Sequence, residues 1–291
     1  MGYYNCHIAG RIIICTRTLF LVILREDDMM RYIYQVDAFT QTPFSGNPAG
    51  VMVLDREESA DWMGLLAREM NLSETAFLLL QAGVYQLRWF TPSVEVELCG
   101  HATLASAHIL YEEGFCRKTD PIIFDTASGE LQARNLDGWI ELDFPAFKWL
   151  PVDYTAQVNE ILKQETRMVF ESGENLLVEL ESEKAVRALT PDINKMKELP
   201  FQGVIVTSVS DEPAVDFVSR YFAPQVGIDE DPVTGSAHCS LAPYWAAKLN
   251  KTDLFARQVS MRGGDLKLRT TPERVYIMGQ AITIFKAELK F

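Results

Sequence analysis

The stretch Arg88-Trp89-Phe90-Thr91-Pro92-Ser93-Val94 recurs later in the chain as Arg220-Tyr221-Phe222-Ala223-Pro224-Gln225-Val226. Each copy closes an apolar strand. Each is followed by a short acidic loop and then by a glycine turn that opens a helix, Gly100-His101-Ala102-Thr103 in one and Gly235-Ser236-Ala237-His238 in the other. A strand–turn–helix unit alone is common, but a set of features recurring in the same order implies internal duplication. We therefore expect two similar lobes related by a pseudo-twofold axis.

The helices that follow tell how each lobe is built. Ala102, Leu104, Ala105, Ala107, Ile109 and Leu110 spread small and apolar groups over every side of the first, as do Ala237, Cys239, Leu241, Ala242, Trp245 and Ala246 in the second. A helix apolar all round is buried. Each lobe is thus expected to roll a mostly antiparallel sheet around one central helix, an α+β architecture. Pro243 should bend the second helix by removing a backbone bond. The N-terminus of each helix offers free N–H groups and partial positive charge, a site for a carboxylate. Glycine at the turn allows a ligand to approach the backbone closely.

Outward from the repeat, alternation and turn residues predict strands at 32–39, 51–54, 76–80, 85–90, 122–124, 130–134 and 139–144, with a turn at Pro43–Pro48. Ser59 caps a helix through Met70 whose apolar stripe is Trp62, Leu65, Leu66 and Met70. In the second half we expect helices at 156–164 and 236–249, strands at 176–181, 204–209 and 216–222, and further strands to the end. A linker at Pro145–Pro151 divides the chain into an N-terminal lobe, 30–148, and a C-terminal lobe, 149–291, whose last strand returns to the first lobe. Residues 1–29 differ in character, and we read Met29 or Met30 as the start of the natural product. Ile12–Leu24 is apolar but short and interrupted by Arg17, so it fits neither a membrane span nor a signal peptide.

With 27 Lys and Arg against 40 Asp and Glu, the net charge of −13 disfavours a nucleic-acid partner. The five cysteines form no C-x-x-C pair, which points to a reducing, cytoplasmic compartment rather than a disulfide framework. The four histidines lack zinc-motif spacing, so no metal is expected. Nucleotide loops and the serine-hydrolase elbow are absent from the sequence.

Further motifs carry a resemblance. Asp37-Ala38-Phe39, Phe44-Ser45-Gly46-Asn47-Pro48-Ala49, Asn71-Leu72-Ser73-Glu74-Thr75-Ala76-Phe77, Cys99-Gly100-His101-Ala102-Thr103 and Asp231-Pro232-Val233-Thr234-Gly235-Ser236-Ala237 appear in order. Together they resemble the phenazine-biosynthesis isomerase (PhzF-like) family from about Tyr32 to the C-terminus. The resemblance implies the diaminopimelate epimerase-like fold, an active site between the lobes, a homodimer, and isomerisation without cofactor or metal. It implies Glu74 as the group that moves a proton between carbons of a small carboxylated metabolite. His101 and Asp231 match residues that orient substrate and assist the proton, Ser236 matches a substrate-binding residue, and Gly100 and Gly235 match the turns at the helix ends.

The residues themselves are compatible with those roles. A carboxylate partly buried in a cleft has its pKa raised towards neutrality, where it works as both acid and base. Singly, Glu74 could be a loop cap, His101 a packed helix residue, and Asp231 the turn residue that Pro232 favours. Diaminopimelate epimerase and its relatives use a cysteine at each helix end. Here Cys99 holds one such place but Thr234 holds the other, and threonine is too weak an acid to complete a pair. Cys99 is then expected to be a relic or a packing residue, and His108 and Cys239 to pack within the helices. The alternatives are an amino- or hydroxy-acid epimerase or racemase, and a metabolite-binding protein of the same fold without turnover. The Gly263-Gly264-Asp265 turn has no role legible in the sequence.

Overall fold

The computed structural model describes residues 31–291 and, ahead of them, three short strand segments at His7–Ala9, Ile12–Ile14 and Val22–Ile23. The reading of Met29 or Met30 as a start lies outside the described residues.

The first lobe runs β1 (Tyr32–Ala38), β2 (Asn47–Leu54), α1 (Ala60–Met70), β3 (Glu74–Gln81), β4 (Val84–Phe90), β5 (Glu95–Val96), α2 (Gly100–Glu112), β6 (Ile122–Thr126), β7 (Gly129–Leu136) and β8 (Trp139–Pro145). After β9 (Leu150–Pro151) and α3 (Thr155–Leu162), the second runs β10 (Met168–Ser172), β11 (Asn175–Glu179), α4 (Glu183–Arg187), α5 (Ile193–Met196), β12 (Gly203–Val209), β13 (Phe217–Ala223), β14 (Ile228–Asp231), α6 (His238–Leu249), β15 (Asp253–Gln258), β16 (Gly264–Thr270) and β17 (Arg274–Gly279). β18 (Ala281–Glu288) ends the chain's regular structure.

Strand pairing repeats from one lobe to the next. β2 and β3 are parallel, bridged by the α1 crossover that a parallel pair requires, and β11 and β12 are parallel across α4 and α5. β3–β4 and β12–β13 are antiparallel, β4–β6 and β13–β15 parallel, and β6–β7 and β15–β16 antiparallel. The echoed sequences occupy matching places. Arg88 and Arg220 each make a two-pronged ion pair with a glutamate, Glu95 and Glu230, at 2.7 and 2.8 Å in both lobes. Each guanidinium also lies over the phenylalanine two residues on, Phe90 or Phe222, at 5.2 and 4.9 Å. The lobes join through β8–β17, from Ile140 opposite Gly279 to Pro145 opposite Arg274. The last strand, β18, pairs antiparallel with β1, so all the main-sheet strands form one closed ring.

The central helices are buried as their composition requires. In α2 every residue from His101 to Tyr111 except His108 is buried, and α6 is buried from His238 to Trp245 save at Pro243. Pro243 has no N–H to give to the Cys239 carbonyl one turn earlier. That carbonyl instead accepts the Phe147 N–H at 2.9 Å, so the 145–151 segment is tied to α6.

Several local expectations need correction. β2 begins at Asn47, because Gly46 (φ 67°) completes the turn; a Cβ there would stand 2.2 Å from the Ala38 carbonyl oxygen. Glu74 is not a loop residue but the first of β3. Ser59 does cap α1, accepting from Trp62 N–H at 3.2 Å, but the buried face is Met63, Leu66 and Ala67, which meet a cluster with Phe77 and Phe90. Leu65 is exposed, and Trp62 is only half-buried, under Arg31. Strand β10 and the short helices α4 and α5 were not anticipated. α6 proper begins at His238, because residues 235–237 form a tighter turn in which His238 N–H reaches Gly235 O and Cys239 N–H reaches Ser236 O. Cys239 is buried, whereas His108 turns to β18, its Nε2 3.2 Å from Thr283 Oγ1.

Candidate active site

The two glycine turns meet. A Cβ built on Gly100 would lie 3.8 Å from Gly235 Cα, and one on Gly235 the same distance from Gly100 Cα. The N-terminal ends of α2 and α6 therefore converge at the junction of the lobes. Ser236 is exposed beside this point and Gly100 half-buried.

Glu74 reaches the same region from the start of β3, its side chain 13% exposed. Its Oε2 is 3.3 Å from Nε2 of His101, the second residue of α2. Neither atom makes a hydrogen bond of good geometry among the described residues. The other ring nitrogen of His101 is 3.4 Å from Cys99 Sγ. Burial, reinforced by the negative charge of nearby Asp231, pushes Glu74 up to about 7. Burial pushes His101 down to about 4, so its imidazole is neutral at pH 7, and holds the Cys99 thiol protonated.

Asp231 ends β14 and comes from the opposite lobe. It accepts the Asn47 amide at 2.9 Å and the Thr234 hydroxyl. Its burial raises it to about 6, against the lowering effect of those two donors. Gln258 locks the turn below it, giving its amide to Asp231 O at 2.8 Å and accepting Thr234 N–H at 2.9 Å. Asn47 also bonds Val233 O at 2.9 Å, so one side chain of the first lobe holds the second lobe's carboxylate in place.

All six residues singled out in the sequence thus fall at the lobe junction: Glu74, His101 and Gly100 from one side, and Asp231, Gly235 and Ser236 from the other. Asn47 and Gln258 were missed. Asn47 stands inside a quoted motif, but nothing in a linear sequence tells that an amide faces a carboxylate from the other lobe. The Gly263 turn now has a structural role. Gly263 O accepts Gly46 N–H at 2.8 Å, and Arg262 binds Asp37, Ser45 O and Gly46 O, clasping the lobes together. Gly264 permits the clasp, since a Cβ would sit 2.8 Å from Phe39 O.

The arrangement places two carboxylates raised towards neutrality, a neutral imidazole and two helix ends around one point. Such a group can hold an acid and move a proton at neutral pH. Carboxylate, thiol and imidazole of Glu74, Cys99 and His101 also bring three metal-ligand atom types within 4.8 Å of one another.

The duplicated units of sheet and central helix, meeting at this junction, make an α+β fold. The chain belongs to the family described as phenazine biosynthesis-like protein, which it matches over residues 36–287. It is 48% identical over 260 residues to an uncharacterized isomerase of Halalkalibacterium halodurans, an alignment covering 88% of this chain and 97% of that one. It is 40% identical over 286 residues to the human phenazine biosynthesis-like domain-containing protein, covering 88% and 98%. The crystal structure of a phenazine biosynthesis protein of the PhzF family from Enterococcus faecalis superposes with a TM-score of 0.87 at 40% identity, covering 90% of this chain and all of that one. A hydroxyproline epimerase from Agrobacterium vitis shares the fold at a TM-score of 0.57 and 11% identity, with 89% and 92% covered.

Proposed function

We propose that this protein is an isomerase that moves a proton between carbons of a small carboxylated metabolite, with Glu74 as the general acid and base and with no cofactor or metal. The observation that carries the proposal is the placement of Glu74. Its carboxylate is buried beside a neutral imidazole and opposite Asp231, yet one oxygen makes no hydrogen bond. A carboxylate held this way is unspent: it can take a proton from one carbon and return it to another. No electrons change hands, so the step balances with the single group. The helix ends at Gly100 and Gly235, with Ser236, hold the substrate carboxylate, and His101 and Asp231 orient the reacting carbons. Because the lobes touch at the two glycines, admitting a substrate requires them to part, and closing over it expels water.

A two-base racemase in the style of paired thiols has less support. Thr234 occupies the second cysteine's place, and its hydroxyl is committed to Asp231. The names of several relatives include the word isomerase, in keeping with the proposal.

The experiment is solvent-deuterium uptake during turnover, screened over small unsaturated and hydroxylated carboxylic acids and amino acids. Deuterium enters the turned-over substrate with the parent protein, and Glu74→Gln folds but abolishes uptake. Turnover retained in Glu74→Gln would end the proposal.

A further inference from the structure

We propose that Glu74, Cys99 and His101 form a binding site for a thiophilic divalent cation of the zinc and cadmium class, and that occupancy stops proton transfer. The second half rests on the function proposed above; the first does not.

The donor set is chemically specific. It offers a carboxylate oxygen, a thiol sulfur and an imidazole nitrogen, all within 4.8 Å of one another. Among the described residues this is the one such grouping of His, Cys, Asp and Glu. In a tetrahedral zinc site, ligands at about 2.0–2.3 Å from the metal lie roughly 3.2–3.8 Å from each other. With His101 Nε2 as the ligating nitrogen, its 3.3 Å separation from Glu74 Oε2 is already in that range. Sulfur and nitrogen donors favour zinc or cadmium over magnesium or calcium, which prefer oxygen throughout. Three protein ligands leave a fourth position open.

The surroundings point the same way. His101 is 7% exposed, and its Nε2 faces Glu74 Oε2 with neither atom hydrogen-bonded among the described residues. Buried polar atoms without partners are rare enough to require an occupant or a role. The ligands also stand on rigid elements, Glu74 on the first residue of β3 and the other two at the start of α2. On binding, the metal–sulfur bond forms as the thiol proton leaves to solvent, and no oxidant is needed. Glu74 then spends its lone pairs on the cation and has none for substrate.

The test is a titration of the full chain, first stripped with chelator, with cadmium, following the ultraviolet charge-transfer band of a cadmium–thiolate bond. The expected result is a band that saturates at one cation per chain. It is lost in Cys99→Ser and kept in Cys116→Ser, Cys239→Ser and the Cys6→Ser/Cys15→Ser double variant. His101→Gln weakens binding by more than the roughly 10–100-fold that an outer-shell change costs. Cadmium-113 NMR of the parent protein, whose shift reports a mixed sulfur, nitrogen and oxygen set, needs no variant and covers the case in which Cys99→Ser fails to fold. No band at saturating cadmium, or a band that survives in folded Cys99→Ser, overturns the site. Where uptake is measurable, zinc or cadmium blocks it and chelator restores it; uptake undiminished at a saturated site overturns the inhibitory half. A cadmium band without deuterium uptake from any acid leaves the cation site standing and removes the isomerase proposal instead.

Discussion

Glu74 and Gly203 occupy the same place in the two lobes: each is the first residue of its strand, and each pairs in parallel with the strand before it, opposite Ala49 and Asn175. The residue after each lies across from the phenylalanine of the echoed motif, Phe90 or Phe222. The duplicated fold therefore has two positions for a carboxylate and fills one. At Gly203 the space is taken by Tyr221, whose hydroxyl would stand 2.4 Å from an added Cβ and which donates to Asn175 Oδ1 at 2.9 Å. The second lobe contributes its acid from another strand, as Asp231. The asymmetry of the chemistry is thus a packing choice within a symmetric scaffold.

Gly203→Ala should destabilise the protein, because the tyrosine ring beneath it cannot yield without losing its buried hydrogen bond. The expected loss in urea denaturation is about 1–3 kcal/mol. Combining it with Tyr221→Leu should recover much of that loss relative to Tyr221→Leu alone. Strict additivity of the two changes would refute the contact.

Glu74 rises from 4.5 to about 7 on folding, so its protonated form is the one the fold favours. For a raised pKa, the contribution to stability is complete below the unfolded value and is lost as pH climbs through the folded one. Glu74→Gln, which cannot ionise, should match the parent near pH 4 and exceed it near pH 8 by on the order of 2–3 kcal/mol. Denaturation midpoints of both proteins across this window measure it; equal midpoints throughout would show that burial does not tax the carboxylate.

Asp231 contributes to that elevation through its charge. Deuterium uptake should fall on the acid side with a midpoint near 7, where Glu74 takes up its proton. Asp231→Asn removes the neighbouring charge and should lower the Glu74 midpoint. Carbon-13 NMR titration of the Glu74 carboxyl reads this even if the variant is inactive. A midpoint that stays or rises in Asp231→Asn contradicts the coupling.

Gly100→Ala and Gly235→Ala each place a methyl at ordinary contact distance, 3.7 Å from Phe144 and 3.6 Å from Phe39 at the nearest. Both variants should fold with thermal midpoints within a few degrees of the parent. Each narrows the approach to the helix ends, so KM should rise more than kcat falls. A change confined to kcat would place the substrate carboxylate elsewhere.

The broad outline was legible because the duplication is written in spaced residues: arginine and phenylalanine two apart, then proline, then a glycine turn before an apolar helix. The central helices followed from composition alone, since nothing on them suits water. Boundaries were less legible. Asn47 and Glu74 read as turn and loop residues because polar side chains at a strand's first position look like the turn that precedes it. α4 and α5 span only five and four residues, too short to show a helical period. In α1 the expected stripe differs from the buried one because Trp62 and Leu65 are as apolar as the Met63 and Leu66 that face inward. The site's pairings across the lobes, Asn47 to Asp231 above all, join positions 184 residues apart. No local pattern encodes them.

The pairing of β18 with β1 also sets an order on biosynthesis. Until Ala281–Glu288 has cleared the ribosome, the edge of Tyr32–Ala38 lacks the neighbour that covers it in the finished chain. Such an edge is a template for pairing with a second nascent chain. The lobe made first is therefore the one completed last, and the hazard of misassembly during translation is concentrated on its opening strand.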